Sequence, residues 1–179
     1  FNPDEPYVLA RFVAWNASHD VGKHGLNDEE KLTLIHQLEA TGVRVWVSSE
    51  KPLAGALEPY RLQTPYPLVH HVLAFAKLVY SEGATMASEA VVLGTHALYV
   101  NEIRSGSTRE QSERFDLLYC FHDQDRYEKA TQKALELLQI ENLQEIGAEK
   151  KERLLAAKSD INDLFIREID QITGQEHSA

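Results

Sequence analysis

The stretch LVYSEGATMASEAVVLGTHALYV, residues 78–100, decides the fold of this chain. It opens with a short run of β-forming residues, 78–80, and passes through small residues into a helical pattern that lasts to Leu93. Gly94 is a helix stop signal, and the β-forming run Ala97–Val100 follows soon after it. We therefore predict a strand, a turn, a helix and a second strand, which is the repeating unit of a parallel α/β sheet.

The turn between the first of these strands and the helix has the features of an anion-binding site. A helix N-terminus leaves backbone N–H groups unpaired and carries the positive end of the helix dipole, so a small-residue turn there is a seat for a phosphate. Glu89, about one turn into the helix, is placed to accept hydrogen bonds from ligand hydroxyls beside that phosphate. The alternative is an ordinary turn of an α/β domain, in which small residues serve close packing.

The rest of the chain repeats the alternation of strands and helices. Asn27 and Glu30 form a capping-box pattern before one helix, and Gly42 ends it. We predict an α/β, Rossmann-like three-layer domain with a mainly parallel sheet over residues 1–140, charged helices over 141–173 that pack on it or on a missing N-terminal domain, and a frayed tail over 174–179. The predicted strands are 7–15, 43–48, 78–80, 97–100 and 117–120, and the main predicted helices are about 28–41, 69–77, 85–93 and 126–139.

The composition argues against several classes of function. The chain has 179 residues, 43% of them apolar and 26% charged, which suits one globular domain with a real core. Its net charge is −10 and it has no basic stripe with interleaved aromatic residues, so we expect no nucleic-acid partner. No apolar run approaches the ~18 residues of a membrane span, and there is no signal-peptide pattern. We therefore expect a cytoplasmic protein without a transmembrane segment.

Three polar loops, 16–25, 81–85 and 101–107, follow predicted parallel strands, so we expect them to line one edge of the sheet. The first loop contains His19, Asp20 and His24. His19 and Asp20 are a candidate acid/base pair for catalysis, and a pair that merely orders the loop is the alternative. The spacing of the three residues fits no known closed metal site, so we predict no metal.

Two further residues have alternative interpretations. Arg11 stands inside the first strand-like run, and its guanidinium either pairs with a carboxylate near the strand end or clamps an anionic ligand. Cys120 is the single cysteine, which excludes an internal disulfide and a paired-cysteine metal site. We expect it to be a small buried residue on a strand rather than a nucleophile.

The segment GATMASEAVVLGTHAL, residues 83–98, resembles a motif of GT-B glycosyltransferases. Their C-terminal domain commonly has a G-x-x-T-x-x-E-like turn and helix, followed by A-x-G-x-P and a strand. A closer resemblance, over nearly the whole chain, is to an uncharacterised GT-B-like family, domain of unknown function 354, which is related to the UDP-N-acetylglucosamine 2-epimerases. It rests on RFVAW at 11–15, HDVG at 19–22, VWVSSE at 45–50, HHVLAFA at 70–76 and TMASE at 85–89.

This resemblance covers only the second half of the family protein. The chain also begins at Phe1 rather than at Met and enters a strand almost at once. We therefore expect it to be a piece of a longer protein, whose N-terminal domain supplies part of the active machinery.

The resemblance also implies roles for individual residues. In relatives of known activity, the amides of the turn hold the nucleotide diphosphate and the helix glutamate binds the ribose. The implied ligand-binding residues here are Arg11, Ser81, Gly83, Ala84, Thr85, Met86 and Glu89. Two positions depart from the pattern. Glu82 places a carboxylate beside the turn, unless its side chain points away, and His96 replaces the usual proline.

The function implied by the resemblance is the nucleotide-sugar-binding half of a GT-B-like glycosyltransferase or epimerase-like protein. The nucleotide sugar, of the UDP type, would be a substrate, and no further cofactor is expected. Whether the chain is catalytic stays open. A non-catalytic binding module that keeps the half-fold is the first alternative, favoured by Glu82 and by the lack of a clear catalytic base. An interaction domain that uses the charged C-terminal helices is the second.

Overall fold

The computed structural model describes residues 5–14, 25–53 and 55–173. A five-stranded sheet runs through the middle of the domain, with the strands in the order β2-β1-β3-β4-β5 and every neighbouring pair parallel. The predicted three-layer α/β fold with a parallel sheet is therefore confirmed. The strands are β1 (Tyr7–Phe12), β2 (Arg44–Ser49), β3 (Leu78–Ser81), β4 (Ala97–Val100) and β5 (Leu118–Phe121).

Helices connect successive strands, as parallel pairing requires. The connection between β2 and α2 also contains two short 3₁₀ helices, Gly55–Tyr60 and Tyr66–Leu68. No helix in the described part of the chain is long and apolar enough to cross a membrane. The α-helices are α1 (Asp28–Glu39), α2 (Val69–Phe75), α3 (Ala84–Val92), α4 (Gly106–Phe115), α5 (Arg126–Leu138), α6 (Leu143–Ala156) and α7 (Ile161–Thr173).

Both faces of the sheet are buried, which explains why its central strands carry apolar residues on both faces rather than on alternate positions alone. In β1, Val8, Ala10 and Phe12 face a core built with α1 and α5. Tyr7 and Leu9, on the other face of the strand, face a second core built with α2, α3, α4 and α6. Because all five strands are parallel, their carboxyl ends meet at one edge of the sheet, where ligands bind in folds of this type.

The predicted helix boundaries hold to within a few residues. Asn27 caps α1 in the predicted capping box: its side chain accepts from the Glu30 amide at 2.9 Å, and the Glu30 carboxylate accepts from the Asn27 amide at 2.8 Å. Gly42 and Gly94 adopt the positive φ values of +88° and +92° that follow the ends of α1 and α3.

The connection after β2 differs in detail from the sequence pattern. The β-forming residues 60–62, which the sequence pattern also allows as a short strand, form only an isolated bridge between Val47 and Arg61. The prolines around this segment favour the two 3₁₀ helices, because proline removes the backbone donor that a longer strand would need.

The two C-terminal helices differ in how they pack. Helix α6 buries Leu143, Gly147 and Leu154 against the rest of the domain, and Gly147 lies directly on the backbone of Gly94 at the end of α3. Helix α7 has no buried residue, and its large apolar side chains are exposed. The region predicted as a frayed tail, 174–179, lies outside the described residues.

Candidate functional site

A cleft of about 380 Å³ lies at the carboxyl ends of β1, β2 and β3. The sheet register explains its composition, since Arg11 on β1 lies beside Ser48 on β2 and beside Ser81 on β3. The start of α3 contributes Gly83, Thr85 and Met86, with Glu89 one turn further on, and the start of α2 forms the opposite wall. The structure thus brings together Arg11 and most of the residues that the sequence motif singles out.

The first turn of α3 opens towards this cleft. Gly83 is the N-cap residue, and no side chain of the described residues caps the helix. The hydroxyl of Ser81 accepts from the Gly83 amide at 3.0 Å and donates to the Gly83 carbonyl at 2.8 Å, which closes the turn from below. Ser81 is fully buried, so its hydroxyl shapes the turn. The backbone donors left for a ligand are therefore those of Ala84, Thr85 and Met86.

Neither the backbone conformation nor the surrounding atoms require a glycine at position 83. Its φ is −100°, which any residue can adopt. A Cβ at this position would meet Val13 Cγ1 at 3.5 Å and Ser81 Oγ at 3.7 Å, which are ordinary van der Waals distances. The fold itself therefore does not demand glycine here, and the missing side chain leaves room in the cleft.

Arg11 is held in place by two side chains from the end of β2 and the residue after it. Its guanidinium donates to Ser48 Oγ at 3.0 Å and to Glu50 Oε1 at 2.7 Å. The other oxygen of Glu50 accepts from the Ala14 amide at 2.9 Å, which fixes the carboxylate in turn. Pairing with a carboxylate, one of the two interpretations of Arg11, is thus present. The side chain still lines the cleft and keeps further N–H groups that could reach an anion.

Glu89 lies at the mouth of the cleft. Its side chain is 40% exposed, and Oε2 is 3.7 Å from Nε2 of His70, which is itself largely exposed on α2. This loose contact leaves the carboxylate oxygens accessible to a ligand. Glu89 stands on the same helical face as Thr85 and Met86, four and three residues earlier, so it follows directly on the open turn.

Glu82, the residue that departs from the motif, points away from the cleft. It is 1% exposed, and its two oxygens accept from the Val13 amide and from the Tyr127 hydroxyl, each at 2.9 Å. Tyr127 belongs to α5 on the opposite face of the sheet. Burial, followed by the negative charge of Glu82, raises the pKa of the Tyr127 phenol. The carboxylate is thus part of the interior and does not face the open amides of α3.

His19 and Asp20, the candidate acid/base pair, lie outside the described residues, as does His24. Their catalytic role and the expected loop at this edge therefore stay predictions. The third loop does reach the same edge: the Asn101 side chain donates to the Glu82 carbonyl at 2.9 Å. Within residues 5–14, 25–53 and 55–173, no group of three or more metal-ligating side chains occurs.

Six described residues of the cleft are not among the ligand-binding residues that the sequence implies: Val13, Ser48, Glu50, Tyr66, Val69 and His70. Ser48 lies near the end of β2 and Glu50 directly follows that strand, and only the strand order places them beside Arg11. Tyr66 is 90% exposed at the rim. The sequence indicates Tyr66 only by its position between two prolines before a helix, which is a weak signal for a binding residue.

Several solved structures resemble this domain. The spinosyn forosaminyltransferase SpnP matches 98% of the chain with a TM-score of 0.60 and 14% identity, and the chain spans 45% of that protein. A protein from Listeria monocytogenes assigned as a UDP-N-acetylglucosamine 2-epimerase matches 92% of the chain with a TM-score of 0.57 and 14% identity. The chain spans 47% of that second protein.

At this low identity the likeness concerns the fold, which is GT-B-like. The chain covers less than half the length of either structure. The sequence matches no family profile and no curated protein. The closer resemblance to domain of unknown function 354 therefore stays a prediction.

Proposed function

We propose that this domain binds a nucleotide sugar of the UDP type and forms one half of a GT-B-like glycosyltransferase or epimerase-like protein. The observation that carries the proposal is the uncapped first turn of α3, which opens into a cleft with Glu89 one turn further along. In this proposal the remaining half of the protein supplies most contacts to the acceptor or to the sugar. Both structural neighbours are about twice as long as this chain, which agrees with such a division.

The diphosphate would lie against the amides of Ala84, Thr85 and Met86. No side chain in the described part of the chain caps these three N–H groups, and the helix dipole adds to their attraction for an anion. Arg11 lines the same cleft and would contribute hydrogen bonds to a phosphate oxygen. In a transferase, these donors would also stabilise the charge that develops on the leaving diphosphate.

The ribose would lie at Glu89. An ionised carboxylate accepts through both oxygens, so it can receive hydrogen bonds from two neighbouring hydroxyls of a sugar. The apolar side of the cleft, formed by Tyr66 and Val69, is then left for the base. Tyr66 offers an exposed aromatic ring at this wall, and base–aromatic stacking is tolerant of base identity.

The experiment that tests the proposal is calorimetric titration of the domain with UDP and UDP-N-acetylglucosamine, comparing the wild type with Gly83→Ala. Because a methyl group fits the protein but occupies cleft space, the variant should fold normally and bind about tenfold or more weakly, ~1.4 kcal/mol. Gly106→Ala is the matched control, since a Cβ there meets nothing within 4 Å and lies outside this cleft. Equal affinity of Gly83→Ala and the wild type would place the ligand elsewhere.

One observation favours the alternative of a non-catalytic module that has lost the nucleotide site. Among the described residues, the cleft holds two carboxylates, Glu50 and Glu89, against the single guanidinium of Arg11, and Glu50 already neutralises that guanidinium. A folded domain that binds neither UDP nor UDP-N-acetylglucosamine, alone or joined to its N-terminal half, would establish this alternative.

A further inference from the structure

A second cleft of about 370 Å³ lies further along the same sheet edge, at the ends of β4 and β5. It shares no lining residue with the cleft at Gly83. The residues on which the argument rests are Arg104, Arg109, Glu113, Cys120 and His122. The nucleotide-sugar proposal uses none of them, so this cleft requires its own interpretation.

The electrostatics of this cleft are unusual for a chain with a net charge of −10. Arg104 forms no ion pair with any residue in the described ranges. Arg109 has its nearest carboxylate, Glu113, at 4.0 Å, with the two side chains 78% and 68% exposed. An exposed pair at that distance contributes little, so both guanidinium groups remain available to a ligand.

The side chains around the two arginines add little negative charge that would repel an anion. Cys120 is half-buried, and burial raises the pKa of its thiol. The thiol therefore stays neutral near pH 7 and adds no negative charge. Of the described residues that line the cleft, Glu113 alone is a carboxylate, against the two guanidinium groups.

His122 is fixed at the wall of this cleft. Its Nδ1 lies 2.6 Å from the Asn101 carbonyl oxygen, and since a carbonyl only accepts, Nδ1 carries the proton. Nε2 is then the nitrogen left for a ligand, as an acceptor in the neutral ring and as a donor in the charged one. Asn101 is itself held, because its side chain donates to the Glu82 carbonyl and accepts from the Ile103 amide, both at 2.9 Å.

We propose that this cleft is a second anion site, which binds the phosphate or carboxylate group of a small ligand between Arg104 and Arg109. A planar guanidinium can donate two parallel hydrogen bonds to the oxygens of a phosphate or a carboxylate, and His122 also lines the cleft. The adjoining smaller cleft shares Arg104, Cys120 and His122 with this one but is less suited to an anion. Its other cations are already paired, Arg126 with Glu102 at 2.9 Å and Lys129 with Asp125 at 2.8 Å.

The test is an NMR titration of the ¹⁵N-labelled chain with sodium phosphate and, separately, with sodium acetate, at an ionic strength held constant with sodium chloride. We expect saturable shifts of the amides of residues 104–109 and of His122, with a dissociation constant on the order of millimolar. Saturation by phosphate alone defines a phosphate site, and saturation by both anions extends it to carboxylates. The amides of residues 84–86 report separately on nucleotide binding, so the proposed anion site and the proposed nucleotide site can fail independently of each other.

Arg104→Gln, Arg109→Gln and the double variant should each keep the fold, because both arginines are exposed. Loss of a charge-assisted hydrogen bond predicts an affinity about tenfold weaker for each single variant. Arg153→Gln, which removes an exposed arginine from α6 outside this cleft, is the charge-matched control and should bind as the wild type does. Shifts that never saturate, or that are unchanged in the double variant, would overturn the proposal.

Discussion

The buried carboxylate of Glu82 accepts a 2.9 Å hydrogen bond from the phenol of Tyr127, a residue 45 positions further along the chain. Its other oxygen accepts from the Val13 amide at the end of the first strand. A single side chain therefore joins β1, β3 and α5 beneath the cleft. This explains how a glutamate can follow β3 in the motif without placing its charge against the open amides of α3.

Glu82→Ala should destabilise the domain by about 1–3 kcal/mol, because it leaves the Val13 amide and the Tyr127 hydroxyl without their acceptor. Urea denaturation measures this loss. Glu82→Gln is the matched control: its amide oxygen can serve Val13, and its NH₂ group can donate to the phenol, so the loss should be smaller. An alanine variant as stable as the wild type would mean that these hydrogen bonds contribute nothing to the free energy of unfolding.

Glu89→Gln should weaken nucleotide binding by about 1–3 kcal/mol, the range for a hydrogen bond to a charged group. The side chain is 40% exposed and holds no buried partner, so the stability of the domain should not change. Calorimetric titration with UDP measures the affinity, and a thermal melt confirms the fold. His70→Gln removes the neighbour of Glu89 but keeps the carboxylate, and it should therefore cost less affinity. If Glu89→Gln unfolds the domain instead, the ribose role is lost.

The sequence of residues 78–100 predicts its strand, turn, helix and strand because each signal is local. The β-forming runs, the small-residue turn and the stop at Gly94 act within a few residues of one another. The continuous apolar strands also predict burial on both faces, and hence helices on both sides of the sheet.

The neighbours of Arg11 could not be predicted in the same way. Its contacts with Ser48 and Glu50 depend on β2 lying next to β1, and strand order is set by tertiary packing rather than by propensity. The orientation of Glu82 depends likewise on Tyr127, which belongs to a helix on the far face of the sheet.

Gly147→Ala should destabilise the domain by roughly 1–3 kcal/mol, in the range for overpacking. A Cβ on Gly147 would clash with the backbone carbonyl group of Gly94, which cannot rotate away as a side chain could, so α6 must shift away from the end of α3. Chemical denaturation measures the loss. Gly106→Ala adds the same methyl group to open space and should leave stability within about 0.5 kcal/mol of the wild type. Equal stability of the two variants would show that α6 moves freely on the domain.

The stability of the domain should also fall as the pH is lowered, because of His96. This residue is 2% exposed, and burial, then the charge of Lys150, lowers the pKa of its imidazole to about 4. The ring stacks on Tyr119, and Asp116 and Lys133 are the other charged groups that act on it. The folded domain thus holds His96 neutral, whereas the unfolded chain takes up a proton near the ordinary pKa of ~6.5.

A pKa lowered by folding gives a stabilising contribution that is complete above ~6.5 and is lost as the pH falls towards about 4. Between pH 7 and pH 5 the linkage amounts to about 2 kcal/mol of unfolding free energy. Urea denaturation at the two pH values measures it. His96→Leu removes the titrating group and should flatten the dependence, while His36→Gln, which removes an exposed histidine, should keep the wild-type slope. If His96→Leu and the wild type lose the same stability between pH 7 and pH 5, another group is responsible.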